Sequence, residues 1–507
     1  RGVRSSRPVY VTPYVLGGAG SAAELSTGGN RYTTDESFPR EIGLDVKYNV
    51  TSNLTLDLTA NTDFAQVEAD NQEVNLTRFS LFFPEKRQFF QERSGIFNFD
   101  LGGANRVFHS RRIGLDDAGQ EVRIFGGTRL TGRAGDWDVG LINMQTDETG
   151  GIPSENFGVL RLRRRVLNRY SYAGVIGTTR LGTDGSYNVT YGVDGSFRVV
   201  GDEYLTVRMV QSVDDAIVDE RGYRPMDSGV LRAEWERRTV RGLSYEASLT
   251  RVGEHYAPDV GFQSRTGYFR PDVGLSYGWF SDGASAFRQL SVGASGFSFL
   301  RLGDRSVESA AGEAHATLEL MSGVTFGGGV AVEIEDLADT LTFANGAFVP
   351  QGRYRYPIAE LRYSARDGAL FRPEIELSGG GFFDGSLLSV ALSPTWNASR
   401  HLEFGGSLQV VTIRFPDRNQ DFDFVISRLR AQVGFNRQAS VSTFVQYNSA
   451  ADLVSANLRF RYNFREGQDL WVVYNESVNT SRDRIVPMLP FTEARTLLLK
   501  YTHTFSL

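Results

Sequence analysis

The chain has no cysteine among its 507 residues, and only 5 methionines and 15 prolines. Without cysteine it carries no disulfide, thiolate zinc site, iron–sulfur cluster or covalently attached c-type haem of its own. It also lacks any uninterrupted apolar run near the ~18 residues that a transmembrane helix needs. Charge of one sign is missing too: 54 Lys+Arg against 60 Asp+Glu leave a net charge of −6. That balance argues against a broad nucleic-acid footprint. The chain begins Arg1-Gly2-Val3-Arg4, with no apolar h-region or cleavage motif. The expectation is a chain whose targeting segment lies outside it. What is abundant is glycine, 55 residues, and aromatics at 12%. Together with 41% hydrophobic content, these point to a large β protein.

The body of the chain has a period of two. Ala456, Leu458, Phe460, Tyr462 and Phe464 fall on one face, and Asn457, Arg459, Arg461 and Asn463 on the other. Leu402 to Val410, Leu205 to Met209 and Leu160 to Arg163 repeat the pattern. These segments run to roughly twice the globular strand mode of about five to six residues, near the span of a tilted membrane-crossing strand. Arg, Glu or Gln recur on the polar faces. Aromatics gather near strand ends, at Tyr10 and Tyr14, Trp279 and Phe280, Tyr462 and Phe464, and Trp471 and Tyr474. A girdle at a lipid interface requires that placement. In a soluble sheet the apolar face would turn to a core; strand length and the aromatic ends favour lipid outside and polar residues inside.

Short links occur at Thr51–Asn53, Gly132–Asp136, Val166–Arg169, Val200–Glu203, Met321–Gly323, Asn397–Arg400, Asn436–Ala439 and Arg465–Asp469. Longer links lie between them, at Thr146–Asn156, Val213–Met226, Glu254–Thr266, Glu335–Pro350 and Val478–Pro490. From about residue 120 onward, short and long links alternate, as periplasmic turns and outer loops do. About twenty-five strands are clear. An extra crossing at Val74–Phe83 would put the Thr51–Asn53 turn on the correct side. The fold expected is all-β: one large antiparallel transmembrane β-barrel over residues 1–507 with about 26 strands, 24 being the alternative count. It would cross the bacterial outer membrane many times, with both termini periplasmic and outer-membrane lipid and lipopolysaccharide as partners. The last strand, amphipathic from Leu497 to Leu507, resembles the assembly signal of such proteins, with Leu507 where the aromatic usually stands.

Residues 61–114 break the pattern. The run Asp63-Phe64-Ala65-Gln66-Val67-Glu68-Ala69-Asp70 is followed by Asn75-Leu76-Thr77-Arg78-Phe79. Then come Phe82-Phe83-Pro84-Glu85-Lys86-Arg87-Gln88-Phe89-Phe90 and Ser110-Arg111-Arg112-Ile113-Gly114. In these motifs the chain resembles a family of large bacterial barrels known only as a domain of unknown function. Thr62 stands where that family usually has proline. In the family a carbohydrate-binding family-9-like domain commonly precedes the barrel. The resemblance therefore implies an outer-membrane barrel whose cargo is linked to saccharide, presented by a domain outside this chain.

Physically, Phe82, Phe83, Phe89, Phe90, Phe97 and Phe99 are too many aromatics for an exposed loop. A barrel this wide encloses a lumen that must be filled or gated. Residues 61–105 are expected to fold inward as a partial plug, with Phe82, Phe83, Pro84, Glu85, Lys86, Arg87, Phe89 and Phe90 as the gate. Glu85, Lys86, Arg87, Glu92 and Arg93 would pair with wall charges such as Arg111 and Arg112, because desolvated charges need partners. Asp63, Glu68, Asp70 and Glu73 put four carboxylates within eleven residues. They could hold a hard cation such as Ca2+, though salt bridges to lumenal arginines are the favoured use. Arg161, Arg163 and Arg165 form a lumenal stripe that balances acidic neighbours or attracts anionic solutes.

No Gly-x-Ser-x-Gly elbow, phosphate-binding glycine loop or His-Glu-x-x-His motif is present, and the five histidines are scattered. No catalytic residues can be nominated, so an enzyme is not expected. Transport or translocation of a solute or polymer is the leading expectation. The alternative is a sheath or scaffold that encloses or anchors a periplasmic or surface partner, such as a multi-haem electron-transfer protein.

Overall fold

The computed structural model describes residues 8–62, 64, 68–116, 119–215, 225–283 and 285–507. The sheet starts with β1 (Val9–Leu25), β2 (Tyr32–Ser37), β3 (Arg40–Thr51) and β4 (Leu54–Thr62). After a long insert come β5 (Ile124–Ala134), β6 (Trp137–Thr146), β7 (Glu155–Arg165), β8 (Tyr172–Gly182), β9 (Tyr187–Val200), β10 (Glu203–Asp214), β11 (Gly229–Arg237) and β12 (Gly242–Val252). Next are β13 (Tyr268–Phe280), β14 (Phe287–Arg301), β15 (Val307–Leu320), β16 (Thr325–Leu337) and a small hairpin, β17 (Leu341–Thr342) with β18 (Phe348–Val349). The remainder is β19 (Gly352–Ser364), β20 (Phe371–Phe382), β21 (Gly385–Ser399), β22 (Leu402–Phe415), β23 (Gln420–Gly434), β24 (Ala439–Asn448), β25 (Leu453–Arg465), β26 (Gln468–Asn479), β27 (Thr492–His503) and β28 (Phe505–Ser506).

Neighbouring wall strands pair antiparallel, and β27 pairs with β1 from Tyr14↔Thr502 to Ala22↔Ala494, which closes the barrel. The sheet holds 26 strands among the described residues. Two of them, β2 and β28, only extend the pairing of β1, leaving 26 − 2 = 24 in the closed wall. Val74–Phe83 is not a strand; it lies inside the barrel. The parity it was meant to repair is already correct, because the insert leaves the wall at Thr62 and re-enters beside it at Ile124. Every short link named above then falls at one end, together with Val9 and Leu507, whose backbones bond to each other at 2.9 and 3.2 Å. The long links fall at the other end. Several links there are short as well, Phe383–Asp384 among them, so the alternation in length is looser than the sequence suggests.

The faces are inverted relative to a soluble protein. Val15, Leu160, Leu249, Val273, Leu361 and Leu499 point outward and are exposed. Arg129, Arg161, Thr190 and Gln446 point inward and are buried. An apolar belt of this kind is unfavourable in water by roughly 25 cal/mol per Å2, a penalty that lipid removes. Outward aromatics pair near the short-turn end, Tyr277 with Trp279 at 4.5 Å and Phe326 with Tyr363 at 5.4 Å. Tyr10, Tyr14, Phe280 and Trp471, expected in that girdle, have the inward parity instead. Tyr14 lies under Lys500 at 4.5 Å, and Trp471 lies under Arg461 at 5.4 Å.

Candidate lumenal gate

The insert between β4 and β5 first crosses to the far wall. Glu68 accepts from Arg430 on β23 and from Arg459 on β25, the latter at 2.9 Å. The Gln72 amide donates to Gln446 Oε1 at 2.9 Å, and Gln446 donates back to the Asp70 carbonyl at 2.8 Å. Val74 and Leu76 then pack against Phe415, Phe422 and their neighbours on β22 and β23. Arg78 pairs with Glu308 at 2.9 Å and Glu335 at 3.2 Å, and Arg265 stacks on Phe79 at 3.7 Å. Residues 68–79 therefore form a strap along the wall from β25 to β15, held mainly by ionic and hydrogen-bonded contacts.

The Phe-Phe-Pro-Glu-Lys-Arg stretch turns into a clasp. Pro84 has no N–H to satisfy and marks the bend. Glu85 Oε1 accepts from the Lys86 and Arg87 amides at 3.0 and 2.8 Å and from Arg87 Nε at 2.9 Å. Its Oε2 accepts from Arg87 Nη2 and from the Ser110 hydroxyl, both at 2.7 Å. Arg87 donates onward to the carbonyls of Ser110 and Ile113, each at 2.7 Å, with its guanidinium over Phe90 at 4.4 Å. Burial pushes the Glu85 carboxyl up, but the Arg87 and Ser110 hydrogen bonds and the Arg87 charge outweigh it and hold it below the usual range. Two of the four motifs that carried the resemblance, Phe82–Phe90 and Ser110–Gly114, thus bind each other.

Below the clasp, one helical turn, α1 (Gln88–Gln91), puts Phe90 into a core with Phe97, Ile113, Ile142 and Val159. Phe99 packs with Val107, Ile176 and Val210. Each such ring is worth about 1.5–3 kcal/mol of burial. Phe89 stacks on Arg129, Phe83 on Arg111, and Phe82 packs between His109 and Phe262. The other charges divide among near partners. Lys86 donates to the Ala69 carbonyl at 2.5 Å and lies 3.9 Å from Asp70, whose carboxylate is held by Arg111. Glu92 pairs with Lys47 at 2.6 Å and Arg129 at 3.4 Å.

Arg111 and Arg112 are not wall residues, as expected above, but a turn of the insert itself, Ser110–Arg112. Arg112 donates to the Gly261 carbonyl at 3.2 Å. Arg161 is fully buried, clamped to Asp194 by two 2.7 Å bonds beneath Phe99. Arg163 pairs with Asp138 at 3.0 Å. Of the four carboxylates suggested for a cation, Glu68 and Asp70 face guanidiniums, Glu73 interacts with Arg428, and Asp63 lies outside the described residues. Among the described residues, no group of three or more acidic, histidine or cysteine side chains is arranged to hold a metal ion.

Two inward-folded elements were not expected. The loop between β12 and β13 enters the lumen, pairing Phe262 with Arg106 at 2.8 and 2.9 Å and burying Tyr256 and Val260. The β17–β18 hairpin buries Phe343 and Val349 against Ile413 and Phe422. Apolar residues in loops that should be polar were the available signal. The insert and the first loop fill the lumen beside β4–β12. The opposite side keeps a cavity of about 630 Å3, lined by Glu313, His315, Glu333, Glu360, Arg362 and Glu376.

A closed 24-strand antiparallel barrel whose lumen is filled on one side by its own insert defines the class of protein. Residues 13–136 match the model of a domain of unknown function, DUF5916, a span that contains every motif of the insert quoted above. No curated protein matches the sequence. Among solved structures, a mutant ferric enterobactin receptor, PfeA, from Pseudomonas aeruginosa is similar at 10% identity and a TM-score of 0.43, over 98% of this chain and 80% of that one. The siderophore receptor PirA from Pseudomonas aeruginosa gives 11% identity and 0.42, over 99% and 81%. The copper transporter OprC gives 10% and 0.39, over 97% and 80%.

Proposed function

We propose that the chain is an outer-membrane barrel that passes a solute through a lumen gated by its own insert, with the short turns and both termini in the periplasm. The observation that carries this is the asymmetry of the lumen. One side is packed by residues 82–115, while on the other the side chains of Glu313, Arg362 and Glu376 stay 51%, 62% and 56% exposed around a polar cavity. A scaffold that only anchored a partner would need no solvated side. A sheath would need the space that the insert occupies beside β4–β12. The strap is held by contacts that water or solute can replace one at a time, which suits a segment that moves. A saccharide-linked cargo is what the family resemblance implies, and it is tested separately by sugar-dependent current block.

The test is single-channel conductance in a planar bilayer, comparing the parent with a variant lacking residues 84–104. A closed or weakly conducting parent and a large open conductance in the variant are expected. If both stay closed while the barrel is folded, the lumen is sealed by other means and the scaffold or partner-filled role replaces gating by the insert.

A further inference from the structure

A second feature lies at the short-turn end, where the foot of the insert meets the wall. A shallow recess open to solvent, about 590 Å3, is lined there by Arg93, Gly95, Arg133, Asp138 and Arg163 among others. Arg133, Asp138 and Arg163 are cross-strand partners on β5, β6 and β7. One carboxylate serves both guanidiniums, at 2.7 Å from Arg133 and 3.0 Å from Arg163. Arg93 enters from the insert with a left-handed backbone, φ 53°. It donates through Nη1 to the carbonyls of Asn53 at 3.0 Å and Thr131 at 3.1 Å. Those bonds fix its position but leave its charge, since both acceptors are neutral. Its neighbour Glu92 pairs with Lys47 and Arg129 and offsets part of the Arg93 charge from a distance, without an ion pair to it. The lining thus has three cations against one anion, 3 − 1 = +2, with open space above Gly95. Arg133 and Arg163 remain 43% and 26% exposed, so their remaining N–H groups are within reach of a ligand.

We infer that this notch binds a small oxyanion, a phosphate or a carboxylate, between the insert and the wall. Guanidinium forks match both groups in charge and geometry. Because Arg93 belongs to the insert and the other two arginines to the barrel, the bound anion bridges the gate's foot to β5 and β7. On the gating role proposed above, on which this consequence rests, occupancy then resists movement of the insert.

The experiment is calorimetric titration of the purified full chain with inorganic phosphate and, separately, acetate, against chloride at matched ionic strength. Saturable binding of either is expected, and which of the two binds more tightly identifies the group recognised. Arg93→Gln and Arg133→Gln should each weaken it by about ten- to hundredfold, the usual effect of losing a charge-assisted bond. Hydrogen exchange at residues 88–97 should slow on binding in the parent but not in R93Q. Heat-modifiable gel migration reports whether each variant is folded. No saturable binding of either anion by the parent, or parent-like affinity in both folded variants, overturns the assignment.

Discussion

The Glu85 carboxylate accepts the Ser110 hydroxyl at 2.7 Å across 25 residues of the insert, while Arg87 closes the circuit onto the Ser110 carbonyl. Ser110→Ala should weaken this clasp by about 1–3 kcal/mol, and Glu85→Ala by about 3–5 kcal/mol because it strands a buried guanidinium. Proteolysis or hydrogen exchange over residues 84–112 reads both. Unchanged protection in E85A would show that the phenylalanines alone hold the insert.

His109 provides a pH dependence. Burial, with the nearby Arg106 charge, holds its imidazole down at about 4 against an ordinary value of 6.5. Between those values the released insert binds a proton that the packed one does not, so packing weakens as pH falls through the window. The effect reaches about 3 kcal/mol once pH is below 4. Protection factors at residues 104–112, each referred to the intrinsic exchange rate at that pH, should fall on acidification from pH 7 to pH 4, and His109→Gln should flatten that response.

Gly140 lies under the insert. A Cβ there would meet Phe97 Cε1 at 2.7 Å and Ile96 Cγ2 at 2.9 Å. Gly140→Ala should therefore lift the Phe97 anchor at a cost of about 1–3 kcal/mol. The expected signature is more frequent channel opening with an intact barrel; a silent G140A would mean that the ring shifts without loss.

The strap should respond to charge. Glu68→Gln leaves Arg430 and Arg459 without their shared carboxylate. We predict faster proteolysis within residues 64–80, partly reproduced in the parent at high salt. Equal rates in E68Q and parent would place the strap's hold in Val74 and Leu76 instead.

Much of the wall was legible because a strand's parity is written in alternate residues, and a lipid-facing belt makes it unambiguous. The inward Arg459 and Arg461 and the outward Leu497 and Leu499 needed no structure. Parity failed for Tyr10, Tyr14, Phe280 and Trp471, since an aromatic near a strand end suits either face. The false strand at Val74–Phe83 arose because alternation also appears in an extended chain that bonds through side chains. The plug's phenylalanines were readable from composition. Their partners were not: Glu85 meets Ser110 because the insert folds back on itself, and Phe82 meets Phe262 because a second loop turns inward beside it.

Thr62 and Ile124, 62 residues apart in sequence, are cross-strand partners. The wall is therefore hydrogen-bonded across the base of the insert, and no ladder bond depends on what the intervening residues do. In folding terms the barrel can zip shut before the insert docks, and the docked form can be lost and regained without opening a seam.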